Sequence, residues 1–289
     1  MNNTIANIQK SDVKSEAKIE SIVRRSGSSF FYAMRWLPEE KRQAMYAIYA
    51  FCREVDDIAD EPGELDYKRN ELIIWRDRIE CLYAGQPSHL ITKALLGPVE
   101  IYGLLKDDFI AIIDGMEIDA EVAVRIATIE ELELYCDQVA SAVGRLSVRV
   151  FGVPEELGIK LAFSQGQALQ LTNILRDVHE DAGLNRIYLP QNLLMSHGIK
   201  MDDLDAVIAH PALADVCEVL SRIAKQRYRE VRVLIKQCDR DSVRPAIMMM
   251  EVYSQIFQKL TKRGWTKLAT PVGLTKFEKI WTAVRYGFF

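Results

Sequence analysis

The sequence predicts an all-α fold, and three observations carry that expectation. Only 9 prolines and 15 glycines punctuate the 289 residues. Almost every long segment between them repeats its apolar residues at the three-and-four spacing of an amphipathic helix. Strand-like alternation is hard to find, and no fixed repeat, low-complexity tract or linker divides the chain. A single multi-helix domain over residues 16–289 is expected, preceded by a mobile tail over residues 1–15.

The elements follow in order. Ser29 to Leu37 is an aromatic-rich lead-in. Pro38-Glu39-Glu40 has the marks of a helix N-terminus, with proline first and acids where the positive end of the macrodipole favours them. Ala44, Ile48, Phe51, Val55 and Ile58, joined by Met45 and Cys52, form an apolar stripe that should stop at Glu61-Pro62-Gly63. Further helices are expected over Leu65–Tyr83, His89–Tyr102, Lys106–Glu117, Ile129–Phe151, Glu155–Ala182, Leu213–Cys238, Arg244–Arg263 and Thr275–Tyr286. Pro154-Glu155-Glu156 repeats the start signal. In the segment after Tyr135, Gly144 follows Ala140, Ser141 and Ala142, which suits either close helix packing or a break where substrate meets backbone.

Composition removes whole classes of function. Hydrophobic residues make up 49% and charged residues 27%, an ordinary globular balance. A net charge of −4 gives no basic face, so no nucleic-acid partner is expected. The longest uncharged run, Leu161 to Leu175, is too short and too polar to span a bilayer, with Ser164, Gln165, Gln167, Gln170, Thr172 and Asn173 inside it. The start, MNNTIANIQKSDVKSEAK, has no apolar core of a secretory signal, and the five cysteines form no CxxC pair. A cytoplasmic protein with reduced thiols is expected. Its apolar end, Tyr286-Gly287-Phe288-Phe289, offers a peripheral membrane contact.

Two acidic segments carry the chemistry: REVDDIADE (Arg53 to Glu61) and NILRDVHEDAG (Asn173 to Gly183). Asp56 and Asp60 are one helical turn apart, about 40° around the axis, and so share a face. Asn173, Asp177 and Asp181 stack along one face in the same way. Both clusters fall at the C-terminal ends of their helices, where the macrodipole is already negative and each carboxylate is disfavoured by up to about 1 kcal/mol. Folding alone favours Lys or Arg there, so a cation is expected to correct the repeated error in the working state. Apart from His179, the candidate donors are carboxylate and amide oxygens, which favour Mg²⁺, Mn²⁺ or Ca²⁺ over zinc. The Asp-x-Asp-x-Asp-Gly loop of an EF-hand is absent, as is the Glu-x-x-His of a ferritin-like di-iron site. Mg²⁺, with Mn²⁺ as a substitute, fits best, sharing its shell with substrate phosphates. The competing reading is a solvated acidic face in which Arg53 pairs with Asp56 or Asp57, in effect a helical scaffold without catalysis.

Beyond those spacings, the chain resembles the squalene/phytoene synthases, the head-to-head trans-isoprenyl diphosphate synthases, from about Ser26 to Arg263. The resemblance rests on SSFFYAMRWLPEEKRQAMYAIYAFCREVDDIAD, YCDQVASAVG and LQLTNILRDVHEDAGLNRIYLP. It implies an isoprenoid synthase fold, with the two acidic helices facing each other across a central cavity. It also implies that Asp56, Asp60, Asn173, Asp177 and Asp181 hold Mg²⁺ against substrate diphosphate. By the same resemblance Asp56, Asp60, Asp177, Asp181 and Tyr135 are the expected catalytic residues. Ser29, Phe30, Tyr49, Arg53, Gln170, Asn173, Arg176, Arg186, Tyr188 and Tyr253 are expected to bind substrate. Arg53, Arg176, Arg186 and Tyr188 would meet the diphosphate, while Phe30, Tyr49, Tyr135 and Tyr253 would line the pocket on the cation side. For each aromatic singly, plain core packing is the competing reading.

Within the family, Tyr135 to Gly144 reads YCDQVASAVG, which differs from the aromatic followed by Val-Ala-Gly-Thr-Val-Gly common in carotenoid-branch members. It is similar to the bacterial hopanoid-pathway branch that joins two farnesyl diphosphates and releases presqualene diphosphate. That branch implies no use of NADPH and a downstream squalene-forming enzyme as partner. The carotenoid branch (dehydrosqualene or phytoene) and squalene synthesis remain the alternatives. Asp137 is a candidate polar participant, and Met248, Met249 and Met250 suit a core or an adaptable apolar pocket.

Overall fold

The structure is a computed structural model that describes residues 18–25, 29–275 and 278. The tail over residues 1–15, most of the helix expected over Thr275–Tyr286 and the apolar C-terminus lie outside the described residues. Helix α1 covers residues 18–25. It is followed by α2 (Ser29–Met34), α3 (Glu39–Asp60), α4 (Leu65–Tyr83), α5 (Leu90–Tyr102) and α6 (Lys106–Asp119). After strand β1 (Val124–Arg125) come α7 (Ile129–Cys136), a π-helical turn (Asp137–Ser141), α8 (Ala142–Phe151) and α9 (Glu155–Gly183). Strand β2 (Arg186–Ile187), α10 (Gln191–Ser196), α11 (Leu204–Ala209), α12 (Leu213–Ile235) and α13 (Arg244–Arg263) complete the order. The all-α class is correct.

Local signals explain the main boundaries. Glu39 and Glu40 occupy the first turn of α3 and Glu155 and Glu156 that of α9, as expected, while Pro38 and Pro154 are the cap residues rather than the first helical residues. Thr128 caps α7 by accepting from the Glu131 amide, and the Glu131 carboxylate accepts from the Ala127 amide just before the cap. His89 is the cap of α5 rather than its first residue, its Nδ1 accepting from the Ile91 amide at 3.3 Å.

The expected single helix over Ile129–Phe151 is instead two helices joined by the π-turn. The short strand pair and the helices α10 and α11 were not expected. Two-residue strands and six-residue helices are shorter than any periodicity can register, so only tertiary contacts reveal them. The strands pair in parallel, Val124 with Arg186 and Arg125 with Ile187.

Packing sets the acidic helix ends in place. Phe51 of α3 meets Trp75 of α4 and Phe109 of α6 edge-on, with ring centroids 5.5 and 5.1 Å apart. Such pairs add about 0.5–1.5 kcal/mol beyond burial. Lys41 Nζ donates to the Phe151 carbonyl at 2.8 Å, tying the start of α3 to the end of α8. The Thr172 and Tyr228 hydroxyls bond at 2.8 Å and pin α9 to α12. Helices α3 and α9 thereby line one apolar cavity, and their acidic ends, Asp60 on α3 with Asp177 and Asp181 on α9, line one charged basin.

Candidate active site

The cavity holds about 360 Å³ and is lined mainly by apolar side chains of α2, α3, α6, α8, α9 and α13 together with the π-turn. Phe30, Tyr49 and Tyr253 lie on its wall, with the Phe30 and Tyr49 ring centroids 6.1 Å apart. Met249 also lines it, while Met248 packs with Met249 and Ala33 in a small satellite core. Gly144 lies inside α8 and supports the close-packing reading. It faces the cavity, and a Cβ there would stand 3.1 Å from the Cα of Ala162 on α9.

At one end the lining turns polar, through Arg53, Asp56, Gln170 and Asn173. Beyond lies a charged basin of about 760 Å³, lined by Asp60, Asp119, Arg176, Asp177, Asp181 and Arg186 among others. The acidic residues of the two helices are therefore brought to one end of the cavity, divided between its mouth and the basin.

The chain answers part of the macrodipole problem from elsewhere. Neither α3 nor α9 carries a basic residue in its last turn. Lys68 of α4 donates to the Ala59 carbonyl at 2.8 Å, and Arg186 bonds Asp60 at 2.9 Å and the Asp119 carbonyl at 2.8 Å. Arg53 pairs with Asp56 at 2.8 Å and also with Asp57, as the competing reading required. Arg176 grips Asp177 with two bonds of 2.6 and 2.7 Å.

Those cations do not saturate the carboxylates. Burial first, then the charge of Asp177, pushes Asp181 up to about 7. Burial and Asp60 raise Asp56 to about 6. Asn173 donates to Gln170 Oε1 at 3.2 Å, while its own Oδ1 is buried without a partner. A buried amide oxygen left unpaired costs about 1–3 kcal/mol, which a cation or donor would relieve. Oxygen donors of this kind suit Mg²⁺. Among the described residues, no group of three or more His, Cys, Asp or Glu side chains is gathered as a metal site. An ion here would complete its shell with substrate oxygens.

Tyr135 and Tyr188 do not line the cavity. Both are buried, their rings stacked with centroids 5.0 Å apart, and both donate to Asp119, Tyr135 at 2.9 Å and Tyr188 at 2.6 Å. Burial raises the Asp119 carboxyl to about 6 against the lowering effect of those two bonds. Asp119 went unnoticed in the sequence, although it is a third carboxylate at the C-terminal end of a helix, α6, and the same macrodipole argument would have found it. Asp137 instead bonds Arg145 at 2.7 Å, and Arg145 also bonds the buried Asp108 at 2.5 Å. Ser29 opens α2, and its side chain lies outside the described residues.

Arg186 owes its position to the strand pair. Asn185, just before β2, takes the left-handed conformation at φ 60°, and its amide nitrogen donates to the Val122 carbonyl at 3.0 Å. Arg125 donates to both the Asn185 carbonyl and side-chain oxygen at 2.6 Å.

The squalene/phytoene synthase family model matches residues 23–278. The presqualene diphosphate synthase of Rhodopseudomonas palustris is 45% identical over 90% of this chain and 93% of its own. That of Zymomonas mobilis is 41% identical over 94% of this chain and 93% of its own. Among solved structures, a dehydrosqualene synthase crystallised with a ligand superposes with a TM-score of 0.81 at 26% identity, covering 96% of each chain.

Proposed function

The chain belongs to the squalene/phytoene synthase family and is a prenyl-transferring enzyme, and we propose that it condenses two farnesyl diphosphates head to head and releases presqualene diphosphate. The observation that carries this reading is the junction of an apolar cavity, with Arg53 and Asp56 at its polar end, and a basin where the carboxylates of α3 and α9 meet Arg176 and Arg186. A prenyl diphosphate has the same two halves, a hydrocarbon tail and a multiply charged head.

Each group then has a task. The apolar wall takes the prenyl tails and keeps water from the allylic cation left at C1 when diphosphate departs. Phe30, Tyr49 and Tyr253 present ring faces to that cation from the cavity side. Asp56, Asp60, Asn173, Asp177 and Asp181 would hold Mg²⁺, which when bound neutralises charge developing on the leaving diphosphate. Arg53, Arg176 and Arg186 now pair with carboxylates, and they become phosphate donors once those carboxylates have another cation to face. Gln170 orients Asn173 through the bond between their amides. Asp119, gripped by Tyr135 and Tyr188, backs the basin beside Arg186, so both tyrosines act on the reaction through that carboxylate. The C2=C3 double bond of the second farnesyl diphosphate attacks C1 of the first. A proton then leaves as the cyclopropane closes, with the released diphosphate as acceptor.

Among the described residues no helix is long and apolar enough to cross a membrane. We place the enzyme in the cytoplasm, in peripheral contact with the membrane, with its presqualene diphosphate passing to a squalene-forming enzyme.

Product analysis after incubation with farnesyl diphosphate and Mg²⁺, with and without NADPH, tests the reading. A cyclopropyl C30 diphosphate in both samples is expected. Squalene only with NADPH, or dehydrosqualene without it, moves the chain to another branch of the family. Turnover of geranylgeranyl diphosphate alone would assign it to phytoene synthesis. No turnover of either substrate would leave the helical scaffold as the reading.

A further inference from the structure

We propose that Gly115, which faces neither the cavity nor the basin, is a positioning residue of this reaction. It acts through the π-turn that sets the direction of Tyr135.

A π-helical turn bonds i to i+5 and so holds one residue more than an α-turn. That extra residue rotates everything before it by about 100° relative to everything after it. Val139, Val143 and Ser147, at successive fours, all line the cavity. In an uninterrupted α-helix Tyr135 would extend the same line and place its phenol in the apolar cavity. The insertion turns the ring aside, so that the hydroxyl meets Asp119 at 2.9 Å and the ring stacks on Tyr188.

The turn's own sequence, Asp137-Gln138-Val139-Ala140-Ser141, contains neither glycine nor proline. Its neighbours hold it instead. A Cβ on Gly115 of α6 would stand 2.5 Å from Val139 Cγ1 and 3.3 Å from Gln138 Cβ. A Cβ on Gly166 of α9 would stand 2.5 Å from both the backbone nitrogen and the hydroxyl of Ser141. Asp137, at the start of the turn, is fixed by Arg145. The turn is therefore clamped from two helices by the absence of a side chain on each. On the α6 side the blocking atom would be a methyl of β-branched Val139, which has little freedom to move aside. A methyl group at position 115 must push the turn, and Tyr135 moves with it.

The inference rests on the proposed reaction, and wild-type turnover of farnesyl diphosphate tests that reading by itself. Gly115→Ala, Val139→Ala and the double variant are compared with wild type. Gly115→Ala is expected to lower kcat by about tenfold or more while KM stays within about threefold, because the acidic faces of α3 and α9 are unmoved. The double variant, which removes the obstructing methyl, is expected to return kcat to within about threefold of Val139→Ala. The ring's position is read without activity by ¹⁹F NMR of 3-fluorotyrosine-labelled protein, with the Tyr135 resonance assigned through Tyr135→Phe. That resonance should shift in Gly115→Ala and return in the double variant. A folded Gly115→Ala protein with wild-type kcat and an unshifted Tyr135 resonance overturns the proposal, as does a loss that Val139→Ala fails to relieve. If Gly115→Ala does not fold, Asp137→Asn loosens the turn from its other end. Unchanged kcat and an unshifted resonance in that variant overturn the proposal equally.

Discussion

At the residue scale, Asp181 is the most informative position. Its carboxyl titrates near 7 in the folded, metal-free protein because burial and Asp177 both oppose its charge. A folded-state value raised above the ordinary one means that the native protein holds a proton which the unfolded chain has already lost. Stability is therefore highest below the unfolded value and falls as pH rises towards 7, levelling off above it. Asp181→Asn is neutral throughout, so without divalent metal its melting temperature should rise relative to wild type between pH 5 and pH 8 as an expected trend. A constant difference across that range would refute the assignment. Divalent-ion affinity should move the opposite way, weakening as pH falls through about 7 and about 6, because Asp181 and Asp56 must ionise to act as ligands. Calorimetric titration with Mg²⁺ and inorganic diphosphate at several pH values reads this directly. Asp60→Asn and Asp177→Asn should each lower kcat by on the order of 10³-fold, since each removes charge facing the leaving group. Near-wild-type turnover in both would sink the metal assignment.

At the element scale, the repeated signal is a helix that ends in acid. The sequence shows it in α3 and α9, and the structure adds α6, whose terminal Asp119 is capped by two phenols. Correction comes from outside the helices, from Lys68 on α4 and Arg186 on β2, and which groups they meet, the Ala59 carbonyl, Asp60 and the Asp119 carbonyl, is settled only by packing. The β1–β2 pair is two residues long in each strand, yet it places Arg186. Asn185→Ala tests that role. The left-handed conformation disfavours alanine, and the two side-chain bonds, from Arg125 and to Val122, are lost, so stability should fall by about 1–3 kcal/mol. A several-fold fall in kcat should accompany it, and an unchanged kcat in a destabilised variant would show that the pair is purely structural. Gly166→Ala would bring a Cβ against the backbone of Ser141, which cannot rotate aside as a side chain can. Chemical denaturation should register a loss of about 1–3 kcal/mol.

At the scale of the whole molecule, function depends on two unlike compartments being adjacent. In the proposed reaction the apolar cavity shields a cation, and the basin concentrates charge that would cost stability until a ligand arrives. Mg²⁺ with inorganic diphosphate should therefore raise the melting temperature by about 5–10 °C at roughly a hundredfold excess over Kd, since it binds only the folded state. Chelation with EDTA should abolish both the shift and turnover. A chain whose melting temperature ignores Mg²⁺ and diphosphate together would contradict the basin's proposed role.

The sequence by itself determined the helical class, the position of most long helices, and the two acidic faces, because each is a local pattern: an apolar period, a proline-acid start, carboxylates one turn apart. It also pointed to Arg53, Arg176 and Arg186 through their place beside those faces. Only the tertiary structure decided where Tyr135 points. The period runs unbroken from Ile129 to Phe151 in the sequence, while the π-turn that interrupts it is held by Gly115 and Gly166 from other helices. The same holds for Asp119, whose two tyrosine partners lie far along the chain, and for the division of the carboxylates between mouth and basin. Local patterns record what each helix buries. Which charges and rings meet depends on contacts between segments remote in the chain, and those exist only once the helices have packed.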